Sequence, residues 1–96
     1  MSTGSRSRVQ LENEHFRVTE WTIDPGGVIP MHLHEHEYVV VPMVTDTMHV
    51  TTGAGDEIVA ELVAGQSYTR PGGSEHRVEN RTSASPIVFV EVEKLS

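Results

Sequence analysis

The chain has 96 residues, a formal net charge of −7 at pH 7, no cysteine and six histidines. This length suffices for one domain with one modest core. The negative charge argues against nucleic acid as a partner, because phosphate contacts need clustered Lys and Arg. No apolar run approaches the roughly 18 residues of a membrane span. The absence of cysteine excludes disulfides and thiolate metal sites. The N-terminus lacks the hydrophobic stretch of a signal peptide, so we expect a cytoplasmic location.

The chain starts with a segment rich in Ser and Gly, residues 1–8, which we expect to be a disordered leader before a folded domain at 9–96. Alternation over Phe16–Ile23 predicts a first strand, and Asp-Pro-Gly-Gly at 24–27 ends it with turn chemistry. Short strands separated by regular turn signals indicate an all-β sandwich or barrel. Further strands are predicted at 38–44, 47–52, 57–63, 66–70, 75–80 and 87–93.

Three histidines lie within five residues: His32, His34 and His36. Alternate side chains of a strand share a face, so we expect these three and Tyr38 on one face unless a bulge intervenes. Imidazoles two residues apart can reach one ion, and they suit Zn, Cu, Fe, Ni and Mn alike. The pattern predicts a metal site, although histidines beside glutamates are also common on surfaces. A third ligand would have to come from another strand.

His76, about forty residues downstream, is the natural third ligand. Pro71 fixes φ in the turn that directs the chain back into the barrel, and Gly73 supplies a residue that tolerates positive φ. Period-two alternation then places His76, Val78 and Asn80 on one face. The alternative is a core histidine that only satisfies hydrogen bonds.

Two segments resemble the motifs of the cupin superfamily. Gly26, five residues, then His32 and His34 resembles the first half of the first motif. The second motif runs Gly, five residues, Pro-x-Gly, two residues, His, three residues, Asn, and the segment from Gly65 to Asn80 resembles it at every fixed position. The resemblance implies an all-β fold, a single-domain cupin-type β-barrel (double-stranded β-helix or jelly roll). It also implies one divalent transition metal per chain on His32, His34 and His76.

The chain departs from the family pattern at the acidic ligand, which usually lies four or five residues after the second histidine of the first motif. Tyr38 and Val39 occupy those positions. Three alternatives stay open: a three-histidine site with Tyr38 nearby, His36 as a fourth ligand, or Glu37 rotated inward by a bulge. The choice sets the charge of the site, because neutral imidazoles leave the full 2+ charge of the metal whereas a carboxylate cancels one unit.

A metal with open coordination positions at a barrel mouth suits a small-molecule ligand. The resemblance implies a metal-dependent enzyme (oxygenase, decarboxylase, lyase or isomerase) acting on a small carboxylate-containing metabolite. Segments 32–42 and 89–93 resemble the very small cupins labelled β-alanine degradation proteins, a label that identifies no chemical step. The alternative is a non-catalytic metal or small-molecule binding or sensing module. Such modules often follow a DNA-binding helical domain. No such domain is present in this sequence, which favours the enzyme over the sensing module.

Small cupins of the kind that this chain resembles form dimers by pairing their edge strands, and this pairing also covers the exposed strand edges. The resemblance therefore implies a homodimer. The valine-rich strand predicted at 87–92 near the C-terminus is a plausible partner surface.

Overall fold

The computed structural model describes residues 2–96, and every regular element in this range is a β-strand. No helix in the described range is long and apolar enough to cross a membrane. The strands are β1 (Ser5–Glu12), β2 (Phe16–Ile23), β3 (Val28–His34), β4 (Tyr38–Pro42), β5 (Asp46–Thr52), β6 (Glu57–Leu62), β7 (Tyr68–Arg70), β8 (Ser74–Glu79) and β9 (Ile87–Lys94).

The strands form two antiparallel sheets that pack face to face. One has the order β1-β2-β9-β4-β7, and the other has the order β3-β8-β5-β6. Because side chains alternate along each strand, one face of each sheet turns inward and supplies the core. The all-β prediction is confirmed. The core cluster of buried residues consists of Ile23, Ile29, Tyr38, Val40, Met48, Leu62, Val78, Ile87 and Phe89.

The N-terminal segment differs from the prediction of a disordered leader over 1–8. Residues 5–8 belong to β1, which pairs with β2 from Ser5 opposite Ile23 onward. The hydroxyl of Ser5 also donates to the carbonyl of Val28 at 2.7 Å. Strand pairing uses backbone groups, so a Ser-rich segment can pair without apolar side chains of its own. Met1 lies outside the described residues.

β9 is not the edge strand that a partner subunit could extend. It lies between β2 and β4, and both of its edges are hydrogen-bonded within the chain. The alternation of valine with Ile87, Phe89 and Glu91 reflects two differently packed faces of β9, with these three residues facing the core. Both edges of 87–92 are occupied, so a partner strand cannot add to this segment, and only its outward face is left as a possible partner surface. The outward valines of β9 remain partly exposed.

A bulge in β3 decides which way the histidines of this strand point. Ile29 lies opposite Val78 and His32 lies opposite His76, so three steps along β3 match two steps along β8. In a regular strand, Ile29 and His32 would face opposite sides of the sheet. The extra residue lets both side chains face inward. Pro30, which has no N–H to donate to the ladder, lies within the bulge.

Candidate metal centre

His32, His34 and His76 form one group at the inner face of the four-stranded sheet. One ring nitrogen from each lies within 4.8 Å of the others. The Nε2 atoms of His32 and His34 are 2.9 Å apart, and the His32 and His76 ring centroids are 4.7 Å apart. Two nitrogens bound at right angles to one ion, each at about 2.1 Å, would lie about 3 Å apart. The spacing therefore fits a metal ion.

The protonation of the histidines also fits a metal. Burial, followed by the charge of His32, lowers the pKa of His34 to about 4. The same causes, with smaller contributions from His34 and Arg70, lower the pKa of His76 to about 4. The Nδ1 atom of His32 lies 2.7 Å from the carbonyl of Pro30, which can only accept. Nδ1 therefore donates, and Nε2 is the ring nitrogen of His32 that faces the group.

The turn before β8 holds His76 opposite β3. Gly73 has a φ of 85°, as the motif predicts, and this conformation is costly for residues with a Cβ. Its N–H donates to the carbonyl of His34 at 2.6 Å. At the other end of β8, the amide of Asn80 donates to the carbonyls of Ile23 and Ser85. The second motif therefore supplies one candidate ligand and two anchors that fix the path of its strand.

The structure separates the three candidates for the fourth position. β3 ends at His34, residues 35–37 form a loop, and Tyr38 begins β4 in the opposite sheet. The predicted common face for residues 32–38 is therefore wrong, because the strand does not continue through them. Within residues 2–96, neither His36 nor Glu37 belongs to the three-histidine group that could hold a metal ion. Glu37 instead lines a separate groove on the protein surface.

Tyr38 lies beside the histidines as a packing partner. Its ring stacks on that of His34, with centroids 4.1 Å apart and planes inclined by 23°. The residue is 2% exposed, and burial raises the pKa of its phenol to about 12. The phenol therefore stays protonated at neutral pH. This geometry agrees with the alternative of a three-histidine site with Tyr38 nearby.

Glu91 on β9 is the carboxylate that the motif comparison missed. Its Oε2 atom lies 3.6 Å from Nε2 of His34, and its side chain is 8% exposed. Burial and the charge of Glu93 raise the pKa of Glu91 to about 7, against a hydrogen bond from Trp21 that lowers it. Since burial disfavours the charged forms of both partners, the contact with His34 is not an ion pair. The sequence does carry a signal for this residue: Glu91 alternates with the apolar residues Ile87 and Phe89, so it lies on the same inward face of the strand.

Two members of the histidine group, His32 and His76, line a cavity of about 140 Å³ between the sheets. This volume is below the range of about 300–1,000 Å³ typical of sites for drug-sized ligands, so the occupant must be small. The lining is mainly apolar, which favours exclusion of water from whatever binds there. The polar and charged residues that line it are His32, Tyr38, Thr52, Tyr68, Arg70, Ser74, Glu75, His76 and Glu91.

Two antiparallel sheets that enclose a three-histidine group and a small apolar cavity define a small cupin. The sequence profile of the family described as "Cupin domain" matches residues 19–93. The chain therefore belongs to the cupin family, as the two motifs predicted.

Among individual relatives, the chain is 48% identical over 85 residues to the beta-alanine degradation protein BauB of Pseudomonas aeruginosa, covering 88% of this chain and 87% of BauB. A crystal structure of a cupin domain from Bordetella pertussis Tohama I is 42% identical, with a TM-score of 0.92 and coverage of 100% and 98% of the two chains. A Klebsiella pneumoniae protein with a double-stranded β-helix domain is 27% identical, with a TM-score of 0.76 and coverage of 94% and 76%. The chain is thus a small cupin similar to BauB.

Proposed function

We propose that this protein is a metal-dependent cupin enzyme that acts on a small carboxylate-containing metabolite. One divalent transition metal per chain would bind to the imidazoles of His32, His34 and His76. The observation that carries the proposal is the convergence of three ring nitrogens within 4.8 Å at the wall of a cavity. Fe, Mn, Ni, Zn and Cu all accept imidazole ligands, so the donor set is compatible with each of them.

When bound, such a metal would supply a Lewis acid that polarises an oxygen atom of the ligand. The protein supplies the surroundings. Val40, Met48 and Phe89 are among the apolar side chains that exclude water from the cavity. Glu91 presents a buried carboxyl group beside His34, where it can form a hydrogen bond with a bound ligand. Tyr38 holds the ring of His34 in place by stacking.

The class of substrate rests on the relatives and on the size of the cavity. The name of BauB refers to the degradation of beta-alanine, a small molecule that carries a carboxylate. A cavity of about 140 Å³ is suited to a metabolite of this order of size. We therefore propose that a small metabolite with a carboxylate group occupies this cavity, without assigning the reaction type.

Elemental analysis of protein purified without a polyhistidine tag tests the metal site. We expect about one equivalent of a transition metal in the wild type and a loss of most of it in His34→Ala and His76→Ala. His15→Ala is the matched control, because its imidazole is exposed and lies outside the group. Equal metal contents in the wild type and in the two site variants at neutral pH would contradict the proposal.

A substrate screen in air and under argon separates the enzyme from a binding or sensing module. Consumption of one small carboxylate that is lost in His76→Ala would support the enzyme. A requirement for air would identify the oxygenase class. Thermal shifts induced by a ligand without any product would favour the non-catalytic module instead.

We also propose that the protein is a homodimer in the cytoplasm. The outward face of the five-stranded sheet carries the partly exposed side chains of Val88, Val90 and Val92 on β9 and of Val39 and Val41 on β4. A contiguous apolar face of this kind is typical of interaction surfaces. We expect association through this face rather than through a strand edge of β9. The lack of cysteine is compatible with a cytoplasmic location.

A further inference from the structure

Arg70 is a cation at the lining of the cavity that the metal centre does not use. It lies at the end of β7, opposite Tyr38 of β4. Because Tyr38 faces inward, its partner in the ladder also projects toward the inner side of the sheet. Arg70 is the only Arg or Lys among the described residues that line this cavity.

Arg70 is exposed at the rim of the cavity, and its guanidinium contacts the protein without being neutralised. Its Cζ atom lies 4.6 Å from the centroid of the Tyr68 ring, and Nη1 donates to the carbonyl of Thr69 at 3.0 Å. Within residues 2–96, Arg70 makes no salt bridge within 4.0 Å, although Glu75 and Glu91 line the same cavity. Most of its N–H donors are therefore available to a ligand.

An available guanidinium in this position has a specific use. Its planar fork can bind a carboxylate through two parallel hydrogen bonds, which a neutral amide cannot match. Stacking on Tyr68 restricts the side chain, which reduces the entropy lost when a ligand binds. The charge of Arg70 also contributes to the lowered pKa of His76, so the guanidinium acts electrostatically on the metal centre.

We propose that Arg70 is the residue that selects anionic ligands, by binding their carboxylate at the cavity while the apolar part of the ligand lies among the apolar side chains. This inference deepens the proposed function and rests on it for the identity of the site. It assigns to Arg70 a role in specificity, separate from the three histidines that would hold the metal.

Butyrate and its neutral isostere butyramide are suitable probes, because they differ in charge and share an apolar chain. Chemical-shift titrations would use the Zn²⁺-loaded protein and the protein treated with a chelator. We expect the wild type to bind butyrate at least about ten-fold more tightly than butyramide, the range of one charged hydrogen-bonded pair. In the chelator-treated protein, Arg70→Gln should reduce this ratio to near one, and Arg70→Lys should retain part of it.

Arg6→Gln is the matched control, because it removes the same charge from an exposed position on β1. It should leave the ratio unchanged. An equal ratio in the wild type and in Arg70→Gln would overturn the inference, as would undetectable binding of butyrate by the wild type. If the elemental analysis finds no metal while the ratio still depends on Arg70, the proposed metal function fails and the assignment of Arg70 stands.

Discussion

Nε2 of His34 lies 3.6 Å from Oε2 of Glu91, although the two residues belong to opposite sheets. Both side chains are buried, and burial shifts the pKa of each toward its neutral form: His34 to about 4 and Glu91 to about 7. A carboxyl group thus lies beside the histidine cluster, at a place that the first cupin motif does not specify. Its position follows from the packing of β9 against β3 across the core.

The first prediction concerns the stability of the metal-free protein between about pH 4.5 and 6.5. In the unfolded chain His34 and His76 are protonated in this window, whereas in the folded protein their lowered pKa values keep them neutral. Glu91 has the opposite behaviour, because its raised pKa lets the folded protein hold one proton that the unfolded chain releases. The unfolded chain binds two protons here and the folded protein one, so stability rises with pH by the slope of about one proton.

Glu91→Gln removes the opposing proton, so its stability should rise with pH by the slope of about two protons, roughly 2.7 kcal/mol per pH unit against 1.4 for the wild type. Urea denaturation of chelator-treated protein at several pH values measures the slopes. Glu14→Gln, at an exposed position, is the control and should keep the wild-type slope. Parallel curves for the wild type and Glu91→Gln would show that Glu91 does not titrate as described.

The second prediction concerns the stacking of Tyr38 on His34. Tyr38→Ala removes a side chain that is 2% exposed and leaves a cavity beside the histidine group. We expect a loss of about 3–5 kcal/mol in the free energy of unfolding. We also expect weaker metal binding, because the ring of His34 no longer has an aromatic ring stacked against it. Tyr38→Phe retains the stacked ring and serves as the control. Equal metal affinity in the wild type and the alanine variant would exclude a positioning role for Tyr38.

The third prediction separates the two polar residues of the second motif. The amide nitrogen of Asn80 donates to the carbonyls of Ile23 at 3.0 Å and Ser85 at 2.8 Å, and the residue is fully buried. Asn80→Ala would leave these carbonyls without their donor, so we expect a loss of about 2–4 kcal/mol in stability. The metal content of the folded fraction should not change. His76→Ala should do the reverse, losing metal at a smaller cost in stability.

Chemical denaturation and elemental analysis of the same samples give both readouts. Loss of metal from fully folded Asn80→Ala protein would place Asn80 in the metal centre. A loss of stability in His76→Ala larger than that in Asn80→Ala would assign His76 a structural role instead.

The fourth prediction concerns the homodimer. Val90→Glu places a charge in the middle of the outward valine face, and we expect it to convert a dimer into a monomer by opposing the burial of that face. Sedimentation velocity measures the change. Val59→Glu on β6 of the other sheet, where the valine is 56% exposed, is the matched control and should leave the dimer intact. A monomeric wild type at the concentrations of the assay would contradict the prediction.

Period-two alternation and turn residues were sufficient to predict most strands of this protein. β2 was predicted with its observed bounds, and β5, β6, β8 and β9 were predicted to within one residue at either end. These are local signals, because alternation reflects which side of one strand is buried. β1 was missed because its backbone is held by β2 while its side chains stay mostly exposed. Val9 and Leu11 are the only apolar residues of β1, and both are exposed, so its alternation is too short to mark the strand.

The residues of the candidate site also fall into two groups: those that local sequence signals predict and those that only the tertiary structure brings together. The sequence by itself determined the three histidines, because the spacing in the two motifs is local and the turn residues that aim His76 are part of the same segment. The tertiary structure decided that β3 ends after His34, which excludes His36 and Glu37 from the group and leaves Tyr38 as a stacking partner. It also brought in Glu91, fifty-seven residues from His34 along the chain. Contacts across a core depend on how two sheets pack, and no spacing within one strand records that.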